Sequence, residues 1–375
     1  MIRKDDVKWW VLEVKKHPES VPTIIEELAK RLTELDAENE RLRHEVIRLQ
    51  QHTPAAGDSA EVSALRREVA RLQTLLNSEA SSEPSVVFLS DQLQSARILL
   101  SQAQRLARED RPVLGRQAML GMRHVLLAHP QDELLLFTSQ GRGLKLLPSD
   151  VPSLTEGDNW PITDDQGLAA NERLTAAVAV AQLPRFWTVV TRRGYVRQFL
   201  RIELDRRLTQ GDRFIVSPFR NDAPVAIVNG DQGDLLVFTR WGKGVRFSQR
   251  AIEGQGSVAL ELEPDDEVVA ALSLPSDTAI LIVTAAGYAV RRDTSRFGAR
   301  SRPGGAGKTL IQAFDVLGAF PCESQAQLLY LTYSGKLVLV PTVDIPLHQR
   351  SNKGTRVRVF DRDPAVAVTF VSSVL

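Results

Sequence analysis

The sequence predicts a mainly β chain, a propeller-like array of five or six blades, preceded by an α-helical coiled coil. Three observations predict it. A heptad of apolar residues runs unbroken through residues 21–50. After about residue 110 the apolar period drops to two residues, the period of half-buried strands. One hairpin-like unit, an apolar run closed by T-x-x-G, is then written five times, its glycines 45–53 residues apart.

In chain order, "DDVKWWVLEVKKHP" reads as a short helix ended by Pro18, with Trp9 and Trp10 either a small docking face or a cap on the coiled coil. A helical stalk is expected over 20–110. In its first part Val21, Leu28, Leu35, Leu42 and Leu49 fall at d, and Ile25, Leu32, Asn39 and Val46 at a. Leu at d with Ile or Val at a favours two parallel strands, and a buried Asn fixes their register at some cost in stability. Arg31 would face Asp36, and Glu38 would face Arg43, across a dimer seam. The expected dimerisation residues are therefore Leu28, Leu32, Leu35, Asn39, Leu42, Val46 and Leu49; the alternative is one amphipathic helix packed on its own domain. Pro54 and Gly57 break this helix. Val62, Leu65, Val69, Leu72 and Leu76 resume a 3,4 pattern, "SSEPS" interrupts it, and a third helix is expected over 86–109, with Leu89, Leu93, Leu100 and Leu106 on one side.

The third region, 111–375, holds the five copies: "DELLLFTSQGRGLKLL", "RFWTVVTRRGYVRQFL", "GDLLVFTRWGKGVRFS", "DTAILIVTAAGYAVRR" and "AQLLYLTYSGKLVLVP". Their T-x-x-G pairs are Thr138/Gly141, Thr191/Gly194, Thr239/Gly242, Thr284/Gly287 and Thr332/Gly335. In each, a buried strand meets a three-residue turn whose last position has positive φ, which suits Gly. A second signature, a short strand, an acidic turn and an apolar strand, lies between hairpins and is clearest in "GQGSVALELEPDDEVVAALSL". Four short strands repeated at this interval indicate radial blades. "RHVLLAHPQD" (123–132) matches the strand before a hairpin and points to part of an extra blade.

This repeat resembles the C-terminal β-pinwheel of the DNA gyrase A subunit, and that of the related topoisomerase IV subunit, over about residues 113–371. The resemblance implies a DNA-binding pinwheel whose basic outer rim bends or wraps duplex DNA. It also marks departures. Such proteins place the pinwheel after a breakage-reunion domain with a catalytic tyrosine. Here the four tyrosines, Tyr195, Tyr288, Tyr330 and Tyr333, all lie in blade hairpins. The expectation is therefore a stand-alone, non-enzymatic pinwheel on a coiled-coil stalk. The family's Q-R-R-G-G-K-G box has no intact copy. "SRPGGAGK" (301–308) comes nearest, matching at Arg302, Gly304, Gly305, Gly307 and Lys308 and departing at Pro303 and Ala306; it reads as a degenerate box or as an ordinary blade loop. A phosphate-binding loop is not the reading of "GAGKT", since G-x-x-x-x-G-K-T needs Gly where Arg302 stands.

The expected DNA-binding residues are the cations of the hairpins, Arg142, Lys145, Arg192, Arg193, Arg197, Arg240, Lys243, Arg246, Arg291 and Arg292, with Arg302, Lys308, Arg350 and Lys353 from the loops between them. A stripe of cations at blade pitch contacts phosphates without reading bases. Net charge is only +1, so the footprint must come from local clustering. A protein-interaction scaffold, accessory to a topoisomerase or another complex, is the alternative. No cofactor or metal is implied: the one cysteine, Cys322, cannot build a disulfide framework or a Cys-based zinc site, and the six histidines form no ligand-spaced cluster. With no signal-peptide pattern and no membrane-length apolar run, the expected setting is the cytoplasm, on the nucleoid, with duplex DNA, a second copy of the chain and a type II topoisomerase as partners and no membrane.

Overall fold

The computed structural model describes residues 83–372, except 155–167, 170, 182–183, 211–212, 214–216, 232, 275–277, 296, 323–324, 359 and 361, together with Lys30, Thr33, Ala37 and Arg41. Two units are distinguished, 1–80 and 81–375. In the first, the four described residues are helical and exposed. They occupy outer positions of the heptad. Its seam, Leu28, Leu32, Leu35, Asn39, Leu42, Val46 and Leu49, lies outside the described residues, as do the short helix at 1–19 and the pattern at 62–76.

The second unit holds six blades. Each has a hairpin and an inner strand. The hairpins are Ser85–Ser90 with Ser95–Leu99, Glu133–Thr138 with Gly143–Leu146, Phe186–Thr191 with Tyr195–Leu200, Asp234–Thr239 with Lys243–Ser248, Ala279–Thr284 with Tyr288–Asp293, and Gln327–Thr332 with Leu337–Pro341. The inner strands are Met122–Ala128, Leu174–Val180, Pro224–Asn229, Val268–Leu274, Val316–Pro321 and Ala365–Val371, each antiparallel to the first hairpin strand of its blade. Successive inner strands touch one another, and that of blade 6 touches that of blade 1.

Blade 1 corrects the expected third helix over 86–109 and the domain start at 111. Only Leu100–Arg108 is helical there. "SVVFLS" is a β-branched and aromatic run that suits a strand, and Leu89 and Leu93 share a helical spacing only by coincidence. This hairpin is a sixth copy of the repeat with Ser90 in place of Thr and Leu93 in place of Gly. Leu93 takes φ 63° and donates its N–H to the Ser90 carbonyl at 3.1 Å, as Gly141 does to Thr138 at 2.9 Å. The extra strand expected in 123–132 is its inner strand.

The first hairpin strands are mostly apolar in their middle positions because each is buried on both faces. In blade 4, Leu235 and Val237 point into the cluster shared with blade 3, while Leu236 and Phe238 point into that shared with blade 5. Every neighbouring pair of blades shares one such cluster. The last, with Phe88, Val125, Leu329 and Val371, joins blade 6 to blade 1 and closes the ring. Closure leaves no sheet face exposed between blades.

The acidic turns have a local purpose. Asp222 accepts from Thr191 Oγ1 at 2.6 Å and from the Arg193 N–H at 2.8 Å; Asp363 accepts from Ser334 N–H and Oγ; Asp266 accepts from the Trp241 N–H at 3.1 Å. In blades 3, 4 and 6 a carboxylate just before the inner strand thus ties down the hairpin turn.

The outermost edge of each blade is supplied by the segment that links hairpin to inner strand in the following blade. Lys308–Thr309 pairs with Lys243 and Gly244 of blade 4, and Leu347–His348 and Thr355–Arg356 pair with the outer strand of blade 5. Blade 6 receives Pro112 and Val113 from blade 1. The turn glycines allow this exchange. The carbonyls of Gly194, Gly242, Gly287 and Gly335 accept from the N–H groups of Ala259, Leu310, Val357 and Val113 at 2.7–3.0 Å. A Cβ at Gly242, Gly287 or Gly335 would strike the incoming backbone.

Candidate nucleic-acid interface

Most of the hairpin cations are engaged within the protein. In blades 1, 4 and 5 position four after the turn residue holds an arginine that staples its blade to the next. Arg97 Nε donates to the Val151 carbonyl at 2.9 Å, Arg246 Nη1 to that of Thr294 at 3.1 Å, and Arg291 Nη1 to that of Ile345 at 3.4 Å. Arg246 is 7% exposed and paired with Asp234 at 2.7 Å. Arg291 Nε also meets Cys322 Sγ at 3.1 Å. Lys145 pairs with Glu133 at 2.6 Å, Arg240 with Asp315 at 2.8 Å, and Lys243 with Glu263. Arg192 donates to the Asn221 carbonyl at 2.6 Å and lies 3.9 Å from Glu267. Arg197 stacks over Phe199 at 4.9 Å. The ten expected hairpin cations therefore divide: Arg246 and Arg292 are buried, and of the rest Arg193 is the exposed cation that no carboxylate pairs with among the described residues. Arg246→Ala is expected to cost about 3 kcal/mol, because it strands Asp234 and the Thr294 carbonyl. Arg302→Ala should stay within about 0.5 kcal/mol. Urea unfolding of the two variants checks the contrast.

Arg142 belongs to a structural cluster too. Its Nε and Nη2 donate to Glu172 at 2.8 and 2.5 Å, and Thr138 Oγ1 donates to the same carboxylate. The Arg142 guanidinium, followed by the Thr138 hydroxyl and the Ala169 N–H, outweighs burial and holds Glu172 down at about 2. A depressed carboxyl stabilises the fold above its unfolded pKa and loses that contribution as pH falls through the folded one. Glu172→Gln should flatten the decline of stability between about pH 4.5 and 2; thermal melts across that range measure it.

The linker cations behave differently. Arg302, Lys308, Arg350 and Lys353 are exposed, and none has a carboxylate partner among the described residues. Lys308 lies over Phe297 at 5.9 Å, and Lys353 over Tyr288 at 4.8 Å. Residues 294–314 carry four cations and no carboxylate, and so do residues 345–359. These two linkers supply the outermost edges of blades 4 and 5, and they touch: the Gln312 N–H donates to the Asn352 carbonyl at 2.7 Å. Within the first, Arg300 Nη2 donates to the Ala306 carbonyl at 2.5 Å and shapes the box-like loop, where Gly304 and Gly305 take φ 112° and 70°. Blade 6 continues the arc, its linker 100–121 having four cations and two carboxylates. The other edges differ in charge. Segment 147–172, serving blade 1, has six carboxylates and no cation, and 249–267, serving blade 3, has six and one. Segment 201–223, serving blade 2, has five cations against four carboxylates, so the excess of basic charge is greatest over blades 4, 5 and 6. A tally of charge by linker, in place of by turn, is the sequence signal that finds it.

Trp241, a candidate for contact with a sugar, packs edge-on against Phe314 at 6.2 Å. Among the described residues no group of three or more His, Cys, Asp or Glu could hold a metal ion, and no helix is long and apolar enough to cross a membrane.

The family model described as DNA gyrase C-terminal domain, beta-propeller, matches residues 132–156, 233–275 and 278–315, within blades 2, 4 and 5. The chain is 26% identical over 243 residues to the DNA gyrase A protein of Escherichia coli K12, covering 61% of this chain and 28% of that protein. With the DNA gyrase A protein of Staphylococcus aureus NCTC 8325 the identity is 25% over 241 residues, covering 60% and 27%. The chain thus spans little more than a quarter of the length of these relatives. A solved structure of the DNA gyrase A C-terminal domain superposes with a TM-score of 0.63 at 16% identity, covering 77% of this chain and 100% of that one. The C-terminal domain of DNA topoisomerase IV gives 0.55 at 18% identity, covering 78% and 94%.

Proposed function

Since residues 85–371 have the β-pinwheel fold of the DNA gyrase A C-terminal domain, we propose that the chain is a non-catalytic DNA-binding protein that bends duplex DNA along the basic arc of blades 4–6. A coiled coil over residues 21–50 joins two such pinwheels into a homodimer, and the assembly modulates DNA topology in the cytoplasm, alone or beside a type II topoisomerase. The observation that carries this reading is the pair of touching, carboxylate-free linkers, 294–314 and 345–359. Cations fixed on a rigid curved edge bind phosphates in any sequence, and the curvature favours a bent duplex. Three blades out of six can hold a short bend rather than a full turn of DNA.

Electrophoretic mobility shifts on duplexes of increasing length test the proposal. Affinity should rise with length until the arc is covered and then level off, with no dependence on sequence. Absence of binding at low salt would favour the second reading, a protein-interaction scaffold. The observation supporting that alternative is the acidic edge on blades 1 and 3, which repels nucleic acid and suits a basic protein partner.

A further inference from the structure

Position five after the turn residue faces the preceding blade and is apolar in five hairpins: Ile98, Leu146, Phe199, Phe247 and Val340. In blade 5 it is Arg292. This side chain is 8% exposed, and its Nε and Nη1 are buried without a hydrogen-bond partner. Burial holds its pKa below the ordinary arginine value. The neighbouring Asp293 acts on the guanidinium through space and offsets part of the effect of burial. Asp234, the carboxylate on this side of blade 4, is taken by Arg246. Asp293 lies on the opposite face of the strand, with Oδ1 accepting from the Ser295 N–H. The strand carrying Arg292 is bordered by the two carboxylate-free linkers, and its backbone pairs with His348 in the second.

A buried guanidinium with two unmet donors is costly, and replacing it with an apolar group is favourable unless a ligand completes it. We propose that Arg292 anchors an oxyanion site between blades 4 and 5, and that the ligand is a phosphate group. Nε and Nη1 each share an edge of the guanidinium with Nη2, so an anion with two oxygens seated on either edge is better matched than a single carbonyl. The basic linkers on either side favour the multiply charged anion over a carboxylate. The phosphate comes from inorganic phosphate or from a DNA backbone. Only the second source rests on the DNA-binding reading above.

The test uses the full chain, with Arg292→Met and Arg292→Lys beside the wild type. Methionine matches the apolar side chains of the five sister hairpins, so the variant should fold. In chloride it should melt above the wild type. Inorganic phosphate at constant ionic strength should raise the wild-type melting temperature saturably, by roughly 3 °C for a Kd on the order of 1 mM and 10 mM ligand. It should leave Arg292→Met unmoved, and Arg292→Lys should respond weakly. Equal phosphate responses in wild type and Arg292→Met, or an Arg292→Met melting point below wild type in chloride, would overturn the site. A second arm adds duplex DNA. If phosphate weakens DNA binding by the wild type more than by Arg292→Met at matched ionic strength, a backbone phosphate occupies the site. If DNA binding is indifferent while the melting shift persists, the site takes the free anion, and its support does not depend on DNA.

Discussion

Replacing Arg302, Lys308, Arg350 and Lys353 together by Ala should lower the salt slope of log K for duplex DNA by about 3–4. Each neutralised phosphate contact removes about 0.9 from that slope, so four give nearly all of the change. Between 50 and 200 mM salt the variant should therefore lose roughly a hundredfold less affinity than the wild type, while binding far more weakly at the low end. The four side chains are exposed and have no carboxylate partner among the described residues, so the melting temperature should hardly move. Arg240 and Lys243 provide the control. Both are ion-paired, with Asp315 and Glu263, and their double replacement by Ala should change the slope by less than about 1. Salt titrations of affinity, with melts to check folding, decide the matter. Equal slopes for the wild type and the fourfold variant would move the DNA off this arc.

That contrast also shows what the sequence can reveal. The repeat was legible because burial on both faces demands the apolar run, as in Leu235–Phe238, and because the turn demands a residue at positive φ, as at Gly242. The sixth copy escaped because Leu93 bears the same backbone conformation without being glycine. Strand exchange escaped because its strands, such as Lys308–Thr309, are two residues long and carry no periodicity. The sequence marks where the cations stand, but their partners are out of local view. Arg142 finds Glu172 thirty residues on, and Arg240 finds Asp315 seventy-five residues on. The first pair forms within blade 2, and the second forms only where the folded ring brings blade 5 against blade 4. The exposed linker cations needed no such knowledge, since a segment with no carboxylate cannot neutralise itself.

Breaking the proposed coiled coil should have the other large effect. Leu35 and Leu42 fall at successive d layers, and Lys at both would place charges where the seam excludes water. The Leu35→Lys/Leu42→Lys variant should sediment as a monomer, whereas the wild type should sediment as a dimer. Its pinwheels should melt unchanged, because the cluster that joins blades 6 and 1 closes their core. On a duplex too short for two pinwheels, affinity should match the wild type. On one long enough to engage both, it should fall by roughly 100-fold or more, the advantage that tethering gives a second weak site. Asn39 predicts a further distinction. Asn39→Ile should strengthen association but relax the register and the strand number, seen as higher oligomers in sedimentation. A monomeric wild type would remove the dimer, and a wild-type dimer that survives both lysines would move its interface away from residues 21–50.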